Sequence, residues 1–477
     1  MASRLVVFND FSFLQTDSLS LKSKLYRTLR FRERNYFHSA AYKANRWDGF
    51  INFFTIETGK FLTGLLPEVM LALHKSNEEY ELDDKRTDIL FTHEDIQPDF
   101  LQQWQTPGSD LITLEDYQCE LTTQALKYRR GVIFAPTSAG KTLVMVAIVK
   151  AIKERTPILI LQNRRGLAQQ NYDELIAWGI PNVGTCWGGA IKPDIITVAT
   201  VQSLEKIKKL LPHFRGLIVD EIHDMMSTTP KTVYKQMKGA CFRVAMSATP
   251  FKFGETDKVQ KYMTKGFFGP VLKIESAKED GGILTTKGLQ KRGRLSKSHC
   301  TFFPVRTPNL EYEIYQDAVT RGIAENYDFH YMVKKLAQAQ KGRTLILVER
   351  IAHGDALNAL IPGSIWVRGQ DNDTTRKGVV QQLQTHPGDC IAIATHGIFN
   401  TGINVFVHTL INAAGGQAEH QIIQRMGRGL RKAKDKASLA YYDFIFYVNE
   451  YLLKHSKKRI RILKQQGHEI ELKDFDL

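Results

Sequence analysis

Cysteine is scarce in this chain, and its five copies, Cys119, Cys186, Cys241, Cys300 and Cys390, are far apart. No CxxC pair occurs, so a zinc knuckle or a disulfide framework is not expected. Reduced thiols in a reducing compartment are the simpler reading. Long apolar runs are absent too: nothing approaches the roughly 18 residues a membrane span needs. The first residues, MASRLVVFNDFSF, hold too short an apolar run for a signal peptide. Low-complexity tracts are missing. A soluble, cytoplasmic protein without a membrane partner is expected.

Acidic residues are outnumbered. Fifty Asp and Glu face 65 Lys and Arg across 477 residues, a formal charge of +15. Such an excess suits a polyanionic partner, most simply nucleic acid, although a basic soluble surface gives the same count. With 43% hydrophobic residues, the chain can build real cores, and its length allows about three domains.

Two sets of short apolar runs stand out. GVIFAPT (131–137), PILILQN (157–163), DIITVAT (194–200), GLIVDE (216–221) and RVAMSAT (243–249) form the first. TLILVER (344–350), SIWVRG (364–369), CIAIATH (390–396), TLINAAG (409–415) and SLAYYDFIF (438–446) form the second. Runs that are apolar throughout predict parallel strands buried on both faces. Ligands of such sheets gather at the strands' carboxyl ends. The fold class is therefore α/β, with two α/β domains in tandem behind a small N-terminal α+β accessory domain.

The expected boundaries are 1–105 for the accessory, DNA-binding domain, 106–262 and 263–455 for the two α/β domains, and 456–477 for a tail. Segment 98–110 reads as a linker and 251–268 as a hinge. RWDGFINFFTIETGKFLTGLLPEVMLAL reads as a hairpin followed by a helix. Segment 22–46 carries eight Lys or Arg against one acid, interleaved with Tyr26, Phe31, Tyr36, Phe37 and Tyr42. Basic residues can neutralise phosphates while aromatics stack on bases. A packed core with a solvated basic face is the rival reading. A second basic cluster, KGLQKRGRLSK (287–297), reads as a hairpin near nucleic acid or a surface loop.

The loop Ala135, Pro136, Thr137, Ser138, Ala139, Gly140, Lys141 and Thr142 follows a strand and precedes a helical run, the context a phosphate loop requires. Its backbone N–H groups would cradle phosphates. Lys141 would reach the β and γ phosphates, and Thr142 would ligate Mg²⁺. Ala135 replaces the usual first glycine. Asp220 and Glu221 end a strand. Asp220 would hold Mg²⁺ and Glu221 would position or deprotonate the attacking water. His223 is either a relay to the second domain or a polar loop residue. Ser247 and Thr249 either sense nucleotide state or cap a turn. Gln118 can donate to and accept from an adenine edge, or sit on a helix surface. Arg428 and Arg431 share a helix face with Gln421 and Gln424. Aimed at the nucleotide, such arginines are worth about 10³–10⁵ in rate in other phosphoryl-transfer enzymes. A solvated basic face is the alternative.

In order, Tyr117-Gln118, the phosphate loop, DEIH (220–223), SAT (247–249) and QRMGRGLR (424–431) resemble the motifs of superfamily 2 helicases. ILQNRRGLAQQ, TVQSL, LILVER and ATHGIFNTGINV resemble its further motifs, so the likeness runs from about 114 to 432. RWDGFINFF with GKFLTGLLP, DEIH and TGINV is similar to the phage UvsW type of branch-migration helicase. The resemblance implies two RecA-like domains, ATP and Mg²⁺ as cofactors, and branched, forked or partly single-stranded DNA as partner. It implies phosphate contacts from Arg164, Arg165, Thr200, Gln202 and Thr395, and places Gly402 and Gln424 near ATP. Asn404 stands where many members have Asp. A monomer is expected. An RNA helicase with the same core, or a nucleotide-gated clamp without turnover, are the rival functions.

Overall fold

The computed structural model describes residues 3–92, 95–105, 111–251, 257–311, 313–368, 370–371, 378–379, 381–383, 385–386, 388–395, 406–416, 422, 426, 430 and 438–475. Contacts divide the chain into two units. One comprises Met1–Ala135 and Gly140–Leu284, and the other comprises Thr285–Leu477 with the short stretch Pro136–Ala139.

The first unit opens with β1 (Ser3–Val7), β2 (Phe11–Gln15), β3 (Arg30–Arg32), β4 (Phe50–Asn52), β5 (Lys60–Leu62) and β6 (Tyr80–Asp84). The sheet order is β5-β2-β1-β6, with β3 and β4 paired separately. The segment expected as a hairpin does turn back, with the Thr55 N–H donating to the Lys60 carbonyl at 2.9 Å and one antiparallel bridge at Phe54–Phe61, but β4 pairs with β3 and β5 with β2, so the two do not form a hairpin ladder. Helix Leu66–Lys75 follows, started by Pro67 in its first turn.

A seven-stranded sheet comes next: β7 (Arg130–Phe134), β8 (Ile158–Gln162), β9 (Val183–Trp187), β10 (Ala190–Lys192), β11 (Ile196–Thr200), β12 (Gly216–Asp220) and β13 (Phe242–Ser247). Their order is β10-β9-β11-β8-β12-β13-β7, parallel except for the β9–β10 edge pair. Every residue of β8, β11 and β13 is buried, the mark of strands covered on both faces. Helix Lys141–Ala151 buries Val144 to Val149 without a break, so it is apolar all round and lies in the core.

The two expected elements 1–105 and 106–262 pack into one unit. Helix Lys258–Phe268 occupies most of the segment read as a hinge. It gives Val259 to the accessory core and Phe267 and Phe268 to the core of the large sheet. Gly64 meets this helix so closely that a Cβ would stand 2.0 Å from the Lys265 carbonyl oxygen. Lys265 pairs with Glu68 at 3.0 Å. The Phe31 ring lies 4.4 Å from that of Tyr262. Arg130, buried, donates to the Phe267 carbonyl at 2.7 Å and also to the carbonyl of Asn9. Burial, then the charge of Arg243, pulls its pKa down. The linker is partly core as well, through Phe100 and Leu101.

The second unit has β14 (Lys297–Val305), β15 (Arg343–Val348), β16 (Ile365–Val367), β17 (Cys390–Thr395), β18 (Thr409–Asn412), β19 (Ser438–Phe446) and β20 (Ile470–Leu472). All neighbours in the order β16-β17-β15-β18-β19-β14-β20 run parallel. The basic cluster at 287–297 is helix Thr286–Lys291 leading into β14, with no hairpin. The expected tail belongs to the sheet domain: helix Glu450–Gln465 buries Leu452, Arg459 and Ile462, and β20 pairs with β14. Arg459 is 1% exposed and meets Asp443 of β19 at 2.9 Å. Asp443 also accepts from Asn412 Nδ2 and the Tyr441 hydroxyl, each at 2.8 Å. Among the described residues, no helix is long and apolar enough to cross a membrane.

Candidate nucleotide site

Strands β11, β8, β12, β13 and β7 lie side by side, and their carboxyl ends carry Thr200, Gln162, Asp220, Ser247 and Phe134. The phosphate loop, DEIH, SAT and the TVQSL motif therefore start from one edge of one sheet. The Ala135 N–H donates to the Ser247 carbonyl at 3.1 Å, so the phosphate loop leaves β7 still tied to β13. Gly140, at φ 79°, ends the loop and starts helix Lys141–Ala151 with no side-chain cap. A Cβ at Gly140 would stand 2.2 Å from Gln118 Nε2. Glycine is thus required twice over, by backbone and by space. Gln118 is buried, and its Oε1 accepts from the Glu115 N–H at 2.9 Å. It is the capping-box residue of helix Asp116–Tyr128 rather than an exposed helix side chain. That box holds its amide against the phosphate loop.

Lys141 Nζ donates to the Ala135 carbonyl at 3.3 Å and stands 4.0 Å from Glu221 Oε1. Glu221 itself has a left-handed backbone, φ 52°, uncommon for a non-glycine residue and typical of functional strand ends. Its Oε2 accepts from the Ser247 hydroxyl at 3.1 Å. Ser247 Oγ lies 2.9 Å from His223 Nδ1 and accepts from the Thr249 N–H at 3.0 Å. His223 is buried, with Nε2 3.7 Å from Asp224 Oδ2. Asp220 accepts from Gln162 Nε2 at 3.0 Å and from the Glu221 N–H at 3.0 Å. Gln162 was not singled out from sequence. Its position at the end of an adjacent buried strand was the available signal.

The two carboxyls differ in environment. Burial, then the charge of Glu221, pushes Asp220 up, against Lys141 and Gln162. Burial alone would raise Glu221, but Lys141, His223 and Ser247 outweigh it and hold it below the usual carboxylate range. Glu221 is thus ionised at neutral pH and oriented by a serine.

Mg²⁺ fits this donor set. Among the described residues, no cluster of three His, Cys, Asp or Glu could hold a metal unaided. Asp220 offers one carboxylate at the strand end beside the phosphate loop, the kind of ligand that holds Mg²⁺ together with phosphates. Thr137 Oγ1 is buried without a hydrogen-bond partner among the described residues, as expected of a loop built to meet an anion.

The expected nucleic-acid residues divide. Arg164 and Arg165 follow β8 and are exposed. Gln202 follows β11, exposed, and donates to the Asn163 carbonyl at 3.3 Å. Thr200 is buried and donates to Ser203 Oγ at 3.2 Å, which is a turn-stabilising role. Thr395 ends β17, buried. Gly402, Gln424, Arg428 and Arg431 lie outside the described residues.

Comparison with known proteins follows the same lines. The family model described as "Type III restriction enzyme, res subunit" matches residues 111–252. The ATP-dependent DNA helicase uvsW of Enterobacteria phage T4 is 23% identical, over 99% of this chain and 99% of its own. The DNA 3'-5' translocase XPB2 of Sulfurisphaera tokodaii is 27% identical, over 69% of this chain and 81% of its own. Among solved structures, the ATP-dependent Type ISP restriction-modification enzyme LlaBIII bound to DNA aligns with 85% of this chain and 34% of its own, at a TM-score of 0.56 and 15% identity. The chain has a tandem RecA-like fold, and its sequence is similar to that of the phage T4 helicase uvsW along almost its whole length.

Proposed function

We propose that this chain is an ATP-dependent DNA helicase and translocase that remodels branched DNA, moving forks and four-way junctions by branch migration and unwinding. The observation that carries the reading is the linked group Lys141, Glu221, Ser247 and His223 at the carboxyl edge of the first large sheet. Lys141 binds the β and γ phosphates of ATP, and the helix it begins presents N–H groups to them. Glu221, ionised and held by Ser247, orients the attacking water. Asp220 and Thr142 would hold Mg²⁺, which would supply positive charge to offset that of the phosphates. Arg428 and Arg431 neutralise charge on the γ-phosphate, Gly402 and Gln424 line the nucleotide, and Gln118 reads adenine. No covalent intermediate is needed, because positioning and charge neutralisation lower the barrier.

DNA is favoured as partner by the charge of +15 and by the accessory domain. There Arg30 lies 4.1 Å from the Phe50 ring centre and Arg32 4.9 Å from that of Tyr36, with Phe37 half exposed beside them. The two relatives, a DNA helicase and a DNA translocase, support the same partner. Arg164, Arg165, Gln202 and Thr395 would track the backbone.

The test is ATPase rate with a four-way junction, linear duplex, single-stranded DNA and RNA, with junction conversion followed in the same tubes. Strong junction stimulation with ATP-dependent conversion to forked products is expected. Stimulation by RNA alone would replace this reading with an RNA helicase. Nucleotide-dependent binding without turnover would replace it with a clamp.

A further inference from the structure

A cleft of about 440 Å³ opens within the first unit, between the accessory domain and the turn that follows Asp220. Glu33, Arg34 and Asn35 form one wall, and His223, Asp224 and Lys231 the other. Helix Lys258–Phe268 contributes Val259 and Met263. We infer that this cleft is the route by which nucleic acid on the accessory domain sets the rate at the nucleotide site. The inference rests on the nucleic-acid reading given above.

Three observations carry it. First, the accessory domain is held fast on the large sheet. Arg130, the Lys265–Glu68 pair and the close approach of Gly64 to Lys265 all fix it to helix Lys258–Phe268. These contacts tie it to the large sheet, so shifts inside it bear on what is packed against it. Second, the Glu33–Asn35 turn directly continues β3, which bears Arg30 and Arg32. The Glu33 N–H donates to the Gly49 carbonyl at 2.8 Å, and Asn35 takes a left-handed backbone at φ 57°. Phosphates drawn to Arg32 or bases stacked near Tyr36 therefore act within three residues of the cleft. Third, the opposite wall begins a short chain of contacts to the catalytic carboxylate. His223 meets Ser247 at 2.9 Å, and Ser247 donates to Glu221 at 3.1 Å. Arg34 on one wall and Asp224 on the other carry opposite charges, so a shift of the turn changes the field at His223.

In this arrangement the accessory domain is a positioning element for Glu221. Its occupancy changes kcat for ATP and leaves the ATP KM unchanged, because the phosphate loop is not on the route.

The test uses Lys231→Cys in the full chain. Lys231 is partly exposed and takes no part in catalysis, and all five native cysteines are buried, which keeps background labelling low. The variant is labelled with a bulky aromatic methanethiosulfonate, and ATPase is measured with no nucleic acid, linear duplex and a four-way junction. Junction affinity is followed by anisotropy. Filling the cleft is expected to leave the basal rate and junction affinity unchanged and to cut DNA stimulation by about fivefold or more, the lower end of ordinary coupling between sites. Dithiothreitol should restore it. Full stimulation in the labelled protein overturns the route. So does an equal loss of basal and stimulated rates, which marks damage to the site itself. If the unlabelled chain hydrolyses ATP but no nucleic acid stimulates it, the functional reading fails first and the inference with it.

Discussion

The Lys141 ammonium stands 4.0 Å from the Glu221 carboxylate, with its charge also held on the carbonyl of Ala135. Lys141 is the largest influence lowering Glu221, so one side chain both meets the phosphates and keeps the water-orienting group ionised. Lys141→Ala should therefore lose ATP turnover by about 10²–10³-fold or more, the scale for removing one preorganised charge-stabilising donor. Steady-state phosphate release measures it, and turnover near the parent rate would refute the assignment of the site.

Ser247 joins His223 to Glu221 through one hydroxyl. Ser247→Ala removes a hydrogen bond to a charged group, worth about 1.5–3 kcal/mol. A fall in kcat of about tenfold or more is expected, since about 1.4 kcal/mol is tenfold. The ATP KM should hold. A variant that changed only KM would place Ser247 in nucleotide binding instead.

Arg130 satisfies two carbonyls from different parts of the first unit, Asn9 and Phe267. Arg130→Met leaves both buried without this donor, at a cost of about 2–4 kcal/mol. The urea midpoint should drop, and limited proteolysis should cut more readily between the accessory region and β7. An unchanged midpoint would show that the apolar contacts alone hold the two together.

His353 and His330 stack with ring centres 4.8 Å apart inside the second unit. Burial, and then the His330 charge, lowers His353 from 6.5 to about 3. The unfolded chain thus takes the proton first. Stability present above pH 6.5 is lost as pH falls toward 3, by up to about 1.4 kcal/mol per pH unit from this residue. His353→Leu should flatten that acid limb in a series of thermal melts between neutral and acid pH. Parallel limbs in the two proteins would mean that His353 is protonated without penalty.

Arg459 and Asp443 form a buried pair, 1% and 0% exposed. Breaking such a pair from one side costs about 3–5 kcal/mol, because the other charge stays buried. Arg459→Met should destabilise on that scale. Asp443→Asn together with Arg459→Met should recover part of it. A double variant no better than the single one would argue that the hydrogen bonds of Arg459 to the Gly416 and Phe444 carbonyls matter more than the charge.

Every apolar run singled out in the sequence became a strand, most plainly in β8, β11 and β13, where burial on both faces leaves no polar position to disguise it. Strands β9 and β14 were missed for the opposite reason. VGTCW alternates in burial, and KSHCTFFPV begins polar and contains Pro304. Pro304 lies beyond Cys300–Phe302, where pairing with β20 stops, so its missing N–H is tolerated. The nucleotide motifs were legible because each requires its residue types at fixed spacing. The left-handed Glu221 and the use of Gln118 in a capping box were not, since both depend on backbone geometry. Residues 456–477 read as a tail in the sequence because the partner of Arg459 lies 16 residues away on another element.

Helix Lys258–Phe268 also bears on how the chain is made. Val259 and Tyr262 complete an accessory core whose other buried members all lie before residue 75. On the ribosome, the first hundred residues must wait for more than another hundred and fifty before their apolar interior is complete. Through that interval Leu65, Val69 and Leu73 have no finished core to enter. The N-terminal region is thus a late-maturing part of the nascent protein, and a truncation that ends before this helix would leave it exposed to chaperones and proteases.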